Sequence, residues 1–154
     1  MRARYPLTTV PSEAAEFEDD IRRAFQDLGK SVGTESLIGE CMPAVDVYES
    51  DDAVEIVVDV PGVDPSAIRV LARRDTVLIL GEKAARRARA ESSFRLVERE
   101  FGRFVRTVRV LRACDTSRGR AELADGELRI TLPKIVDRRG HTVRIPITLS
   151  RTRA

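Results

Sequence analysis

The residue types that most often carry catalysis are few in this chain and stand apart from one another. The single histidine, His141, lies in an arginine-rich stretch with no nucleophile or carboxylate placed to pair with it. The only cysteines, Cys41 and Cys114, form no CxxC motif, so neither a thiolate metal site nor a disulfide scaffold is indicated. We therefore predict that the protein is not an enzyme and holds no metal.

The paired carboxylates also have an ordinary explanation. Asp19 and Asp20 lie in a stretch with helical periodicity, and Asp51 and Asp52 lie between two apolar runs, so solvent-exposed positions account for both pairs. The sequence contains no glycine-rich loop of the kind that binds phosphate groups. We therefore expect no nucleotide chemistry and no cofactor.

Length and charge narrow the class of protein further. The chain has 154 residues, of which 42% are hydrophobic, enough for the core of one domain. Its 27 basic and 25 acidic residues leave a net charge of +2, which is a weak electrostatic basis for binding nucleic acid. No apolar run resembles a signal peptide or a membrane span. We expect a soluble, cytoplasmic protein with no nucleic-acid partner and no obligatory membrane contact.

The first patterned segment predicts an amphipathic helix over about residues 13–28. Ser12 is a suitable N-cap and Gly29 a suitable stop. Apolar residues at spacings of three and four form one face of this helix: Phe17, Ile21, Phe25 and Leu28. This face either packs on the helix's own domain or stays separate from it, and the weakly patterned residues 30–40 favour a linker between the two.

From Pro43 onward the apolar residues alternate with polar ones, which is typical of strands. Short strands punctuated by turns, without intervening helices, predict an antiparallel β-sandwich, and Asp125-Gly126 suits a type I′ hairpin. The predicted strands cover Val45 and Val47, then Val54–Val60, Ile68–Ala72, Thr76–Leu80, Phe94–Glu98, Phe104–Val110, Arg120–Ala124 and Glu127–Leu132.

One apolar cluster interrupts the polar, basic end of the chain. Ile145 and Ile147 flank Pro146, which favours extended backbone, so both isoleucines should project to the same side. An extended segment with two spaced anchors can dock in a groove or add to a sheet edge. The alternative is that the two side chains fold back on their own domain.

The order and spacing of several segments together resemble a small heat-shock protein with an α-crystallin domain. They are MPAVDVYESDDAVEIVVDVPGV at 42–63, LILGEK at 78–83, EREFGRFVR at 98–106, AELADGELRITLPK at 121–134 and the trailing IPI at 145–147. The resemblance implies an immunoglobulin-like β-sandwich at residues 43–135, a variable N-terminal arm at 1–42 and a C-terminal extension at 136–154. It also implies an ATP-independent holdase chaperone that assembles into oligomers built from dimers and binds partly unfolded clients.

The resemblance further suggests where the chain would contact its partners. The tail anchor Ile145, Pro146 and Ile147 would enter a groove of a neighbouring subunit between segments 68–72 and 120–124, and the candidate lining residues are Val70, Ala72 and Leu123. The dimer contact would involve the strand that carries Phe94 and Leu96.

Arg106 is a further candidate for the dimer contact. By period two it shares a face with Phe104 and Val108, where a guanidinium needs a carboxylate or a subunit boundary. In the alternative interpretation the strand is bulged and Arg106 faces water.

Unfolding clients expose apolar side chains, and the helix face offers a surface to bind them. Phe17, Ile21, Phe25 and Leu28 are therefore the candidate client-binding residues, provided that the helix can be released. Oligomer assembly would cover this face at rest. A non-catalytic β-sandwich adaptor or co-chaperone remains the alternative function, since such a module needs the same fold.

Overall fold

The computed structural model of the protein describes residues 17–28, 40–85 and 89–136, together with Arg144 and Pro146. Within these residues, one helix, α1 (Glu18–Asp27), precedes seven strands. The strands are β1 (Val45–Glu49), β2 (Ala53–Asp59), β3 (Ile68–Arg73), β4 (Thr76–Lys83), β5 (Gly102–Arg109), β6 (Arg120–Ala124) and β7 (Glu127–Pro133). Single 3₁₀ turns at Pro65–Ala67 and Thr116–Arg118 lead into β3 and β6.

The strands form two antiparallel sheets, which confirms the predicted β-sandwich. One sheet has the order β1-β2-β7-β6 and the other has the order β3-β4-β5. The β6–β7 hairpin turns at Asp125 and Gly126, whose φ angles of 52° and 82° are both positive. A type I′ turn requires this conformation, so the predicted turn type is confirmed as well.

Alternating residues of both sheets build the sandwich core. In β2, Val54, Ile56 and Val58 point inward and are buried, which is the face predicted from the period-two pattern. They pack against inward-facing residues of β7 and of the second sheet, including Ile79 and Phe104. This core contains no residue of α1 among its described members.

The helix lies on the outer face of the three-stranded sheet. Phe17, Ile21 and Phe25 are buried there against Leu78 and Leu80 of β4. The expectation of a helix separated from the domain is therefore wrong, and the alternative, in which the helix packs on its own domain, is correct. The proposed cap Ser12 and the predicted first turn lie outside the described residues, and α1 begins after Phe17 without a side-chain cap.

The predicted strand at Phe94–Glu98 is absent from the single chain. These residues are exposed and belong to neither sheet. Their apolar pattern satisfies the local requirement for a strand, but a strand also needs a neighbour that supplies hydrogen bonds, and no described segment of the chain does so.

Within the described part of the chain, no helix has the length and apolar character needed to cross a membrane.

Candidate interaction surfaces

The tail-binding groove was predicted between the segments that form β3 and β6, and both are edge strands of their sheets. At the other side, the segment before β1 contacts β5, because the Cys41 backbone N–H donates to the Arg103 carbonyl at 3.0 Å. Since β1 and β5 are edge strands on that side, the opposite edges, β3 and β6, share the remaining side. This arrangement places the two strands of the predicted groove on the same side of the sandwich.

The predicted lining residues occupy inward-facing positions of these edges. Val70 and Leu123 are half-buried and pack against the sandwich core. Ala72 lies opposite the buried Val77, yet Ala72 itself is exposed. An inward-facing residue can be exposed only where the sandwich edge is uncovered, so this side offers an open apolar surface.

The tail anchor itself is only partly described. Pro146 and the preceding Arg144 are exposed, whereas Ile145 and Ile147 lie outside the described residues. The predicted docking of the two isoleucines, and the alternative in which they fold back on their own domain, therefore both stay open.

The segment between β4 and β5 presents large apolar side chains to solvent. Phe94, Leu96 and Val97 are 65%, 74% and 63% exposed. The outer strand β1 carries the half-exposed Val47 on the inward-facing side, opposite the buried Ile56. Exposed apolar side chains, and a strand edge without a further neighbour among the described strands, are each features of a surface that another chain covers.

Arg106 lies where the alternation placed it but makes an unexpected contact. It pairs in register with Ile79 in an unbroken β4–β5 ladder, so the bulge alternative is wrong. The side chain is half-buried, its Nη1 donates to the Pro43 carbonyl at 2.9 Å, and burial lowers its pKa. A backbone carbonyl of the same chain thus provides a partner where a carboxylate was expected, and a role of Arg106 at a subunit boundary stays a prediction.

The candidate client-binding residues are covered in this structure. Phe17, Ile21 and Phe25 are 4%, 5% and 0% exposed, and Leu28 is half-buried at the end of the helix. Their contacts are with the three-stranded sheet of the same chain. These side chains become accessible to another molecule only when α1 leaves the sheet.

The sheet residues that receive the helix were not predicted from the sequence. They are the outward-facing apolar residues Leu71, Leu78, Leu80 and Val105. A signal was present, because Val77 to Leu80 are apolar without alternation, as is typical of a strand buried on both faces. The opposite sheet covers one face of β4, so a further element had to cover the other.

The two thiols have environments that suppress reactivity. Cys41 is buried and its Sγ–H donates to the Gly102 carbonyl at 3.6 Å. Burial raises the pKa of both Cys41 and Cys114, which leaves the less nucleophilic thiol form dominant at neutral pH. Among the described residues, no group of three or more histidines, cysteines and carboxylates is placed to hold a metal ion.

The sequence of the sandwich and the residues that follow it match a known family. Residues 46–148 fit the family model described as "Hsp20/alpha crystallin family". The chain belongs to this family. The small heat-shock proteins that form it are chaperones of the stress response, so the predicted family and the predicted fold are both confirmed.

Individual relatives of the Hsp20/alpha crystallin family give the same assignment. Heat shock protein 16 of Schizosaccharomyces pombe is 35% identical over 99 residues, which cover 63% of this chain and 69% of the relative. The 18.9 kDa heat shock protein of Oryza sativa subsp. japonica is 38% identical over 106 residues, which cover 68% of this chain and 60% of the relative.

Solved structures of Hsp20/alpha crystallin proteins share the sandwich. Heat shock protein 16.0 from S. pombe superposes with a TM-score of 0.61 at 33% identity, covering 71% of this chain and all of that chain (100%). A small heat-shock protein from Xylella fastidiosa, reported to have a distinct high order structure, gives a TM-score of 0.59 at 27% identity, covering 72% and 98% of the two chains. The family match begins after α1, so it does not include the helix.

Proposed function

We propose that this chain is an ATP-independent holdase that binds partly unfolded proteins and keeps them from aggregating. The observation that carries the proposal is the apolar layer between α1 and the outer face of the three-stranded sheet, which is separate from the sandwich core. Such a layer can open without unfolding the domain. Opening it would expose Phe17, Ile21, Phe25 and Leu28, the candidate client-binding residues.

The balance of forces on the helix shifts toward release as temperature rises. Each large apolar side chain buried in the layer contributes about 1.5–3 kcal/mol. Fixing the backbone of each helical residue opposes this by about 1–2 kcal/mol, and the entropic term grows with temperature. An ion pair between Asp20 of the helix and Arg73 of the sheet, at 3.7 Å, is solvent-exposed and adds little. Heating therefore favours the released form.

The purified protein should suppress the aggregation of a heat-labile client at roughly stoichiometric ratios without nucleotide. The physical reason is that apolar binding surface, rather than a phosphate-driven cycle, captures the client. Light scattering of the heated client with and without the protein measures this effect, and a non-chaperone protein of similar size is the control. An absolute requirement for ATP would contradict the proposal.

The dimer, in this proposal, forms through the segment that contains Phe94 and Leu96. Its exposed apolar residues and its lack of a strand neighbour within the described part of the chain support pairing with the open edge of a partner's sheet. β1 is such an edge and carries the half-exposed Val47. Arg106 remains a candidate at this boundary, through its hydrogen bond to the segment just before β1.

Replacing Phe94 and Leu96 together with aspartate should weaken the dimer while the sandwich stays folded. Both side chains are mostly exposed in the single chain, so the cost appears only when a partner buries the new carboxylates. Sedimentation equilibrium should show at least a tenfold rise in the dimer dissociation constant. The matched control is Leu111→Asp, because Leu111 is 86% exposed and lies outside this segment. If Leu111→Asp raised the dimer dissociation constant equally, the dimer contact could not be assigned to the segment with Phe94 and Leu96.

Larger oligomers would form when Ile145, Pro146 and Ile147 of one subunit dock on Val70, Ala72 and Leu123 of another. The side that β3 and β6 share supports this docking, because it exposes apolar surface next to two strand edges that have no further neighbour among the described strands. A single docked tail binds weakly, and several tails in one closed assembly bind strongly through effective concentration. In this proposal, the boundaries at residues 42 and 135 divide the sandwich from the N-terminal arm, which carries α1, and from the C-terminal extension, which carries the tail anchor.

A further inference from the structure

The outer face of the three-stranded sheet combines an apolar strip with two arginines along its β3 edge. Outward-facing Leu71, Leu78, Leu80 and Val105 form the strip. By the period of two, Arg69 and Arg73 share the outward face of β3 with Leu71. Arg103 shares that of β5 with Val105, but it pairs with Glu40 at 3.3 Å and lies opposite Glu82 of β4, so the positive charge lies along β3. The apolar strip and the two β3 arginines together make a surface suited to an apolar segment with a carboxylate beside it.

The helix that covers this face has the complementary character. Its apolar residues Phe17, Ile21 and Phe25 recur every four residues and meet the strip. Its first turn holds three acidic residues; Glu18 and Asp19 pair with Arg22 of the helix itself, and Asp20 faces the sheet. The complementarity extends to two specific contacts, since Asp20 lies 3.7 Å from Arg73 and the Arg103 guanidinium lies 5.8 Å from the Phe25 ring centre.

We propose that this outer sheet face is a binding site for acidic amphipathic helices of client proteins, and that α1 is its resident occupant. This inference deepens the proposed function and rests on it, because the sheet face becomes a second client-binding surface besides the apolar face of α1. When α1 leaves, both halves of the layer become available. The sheet face then accepts a client segment with apolar residues at i, i+4 and i+8 and carboxylates beside them.

A peptide-binding experiment on the full-length protein tests this site without any unfolding client. The probe is a fluorescein-labelled peptide with the sequence of residues 14–28. The Phe25→Asp protein has a weakened resident helix, because a carboxylate replaces a fully buried ring, while the sandwich core is unchanged. Fluorescence anisotropy should show that this variant binds the probe at least tenfold more tightly than wild type does, since wild-type α1 competes in the same chain.

Further variants test whether the probe occupies the sheet face itself. Adding Val105→Asp to the Phe25→Asp protein should abolish probe binding. Circular dichroism should show an intact sandwich in the single and in the double variant. Ile21→Asp should reproduce the effect of Phe25→Asp, which keeps the test valid if one variant folds poorly. In the probe, Asp20→Lys should weaken binding at least threefold. Asp19→Lys should weaken it less, because Asp19 is 3.7 Å from Arg22 of the helix itself.

Two outcomes would overturn the proposal. One is a failure of the probe to bind either Phe25→Asp or Ile21→Asp protein. The other is that the wild-type protein binds the probe more tightly when the protein is diluted. This result would mean that a second copy of the chain supplies the helix that covers the sheet face. Because the assay contains no client, a failed light-scattering result would leave the peptide result intact, and the two failures can be told apart.

Discussion

Changing Ile145 and Ile147 together to alanine should convert large oligomers into dimers or small species while the β-sandwich stays folded. Each substitution removes buried methyl groups at the proposed contact between subunits, at a cost of about 2–5 kcal/mol for a fully buried isoleucine. The loss is repeated at every tail of the assembly, so a local change has a large effect on the equilibrium. Sedimentation velocity of the variant beside wild type at equal concentration measures it.

A matched control comes from exposed apolar residues of the sandwich and its end. Leu111 and Val136 are 86% and 78% exposed, so Leu111→Ala with Val136→Ala removes a comparable number of methyl groups from solvent-exposed positions. This control should sediment like wild type. Unchanged sedimentation of the isoleucine variant would exclude the tail as an assembly contact. Collapse of its circular dichroism spectrum would instead favour isoleucines that fold back on their own domain.

Gly81→Ala should lower the free energy of unfolding by at least about 2 kcal/mol. Gly81 lies in β4 between Ile68 and Phe104 of the neighbouring strands, and it is buried. An added Cβ would collide with the Ala67 carbonyl oxygen and would lie 2.7 Å from Cζ of Phe104. The Ala67 backbone and the fully buried Phe104 ring cannot move away from the new methyl group without disturbing the packing around β4. Thermal unfolding should show a Tm lower by about 10 °C.

Gly62→Ala separates crowding from the ordinary cost of replacing a glycine. Gly62 has a φ of +77°, and an added Cβ there meets nothing within 4 Å. Its substitution should cost only about 1 kcal/mol of backbone strain. If Gly81→Ala were no more destabilising than Gly62→Ala, the close approach of β4 to Ala67 and Phe104 would not be a feature of the folded protein.

The strands of the sandwich were predictable because burial on one face imposes a local period. Val54, Ile56 and Val58 alternate with less buried neighbours, and the structure buries them on one side as expected. The Asp125-Gly126 turn was predictable for a similar reason, since few residue pairs tolerate two positive φ angles. The family resemblance rested on these segments, and the match over residues 46–148 confirms it.

The strand predicted at Phe94–Glu98 shows that an alternating apolar pattern alone is not sufficient to predict a strand. Its residues suit a strand, but backbone pairing requires a second segment at the right distance, and sequence pattern carries no information about that distance. Arg106 gives a related example. Its position among buried residues followed from the period, whereas its partner, the Pro43 carbonyl, is 63 residues away along the chain.

By itself, the sequence determined the class of fold, the family and the amphipathic nature of α1, because each of these depends on residue types at short spacing. Only the tertiary structure decided where the apolar face of α1 goes, since packing depends on which surfaces meet in space. The unbroken apolar run of β4 required a cover on both faces, and the helix is the described element that covers the second. That contact covers the apolar helix face, and the register of β3 and β4 shows that Arg69 and Arg73 flank Leu71 on the same outward face of the sheet.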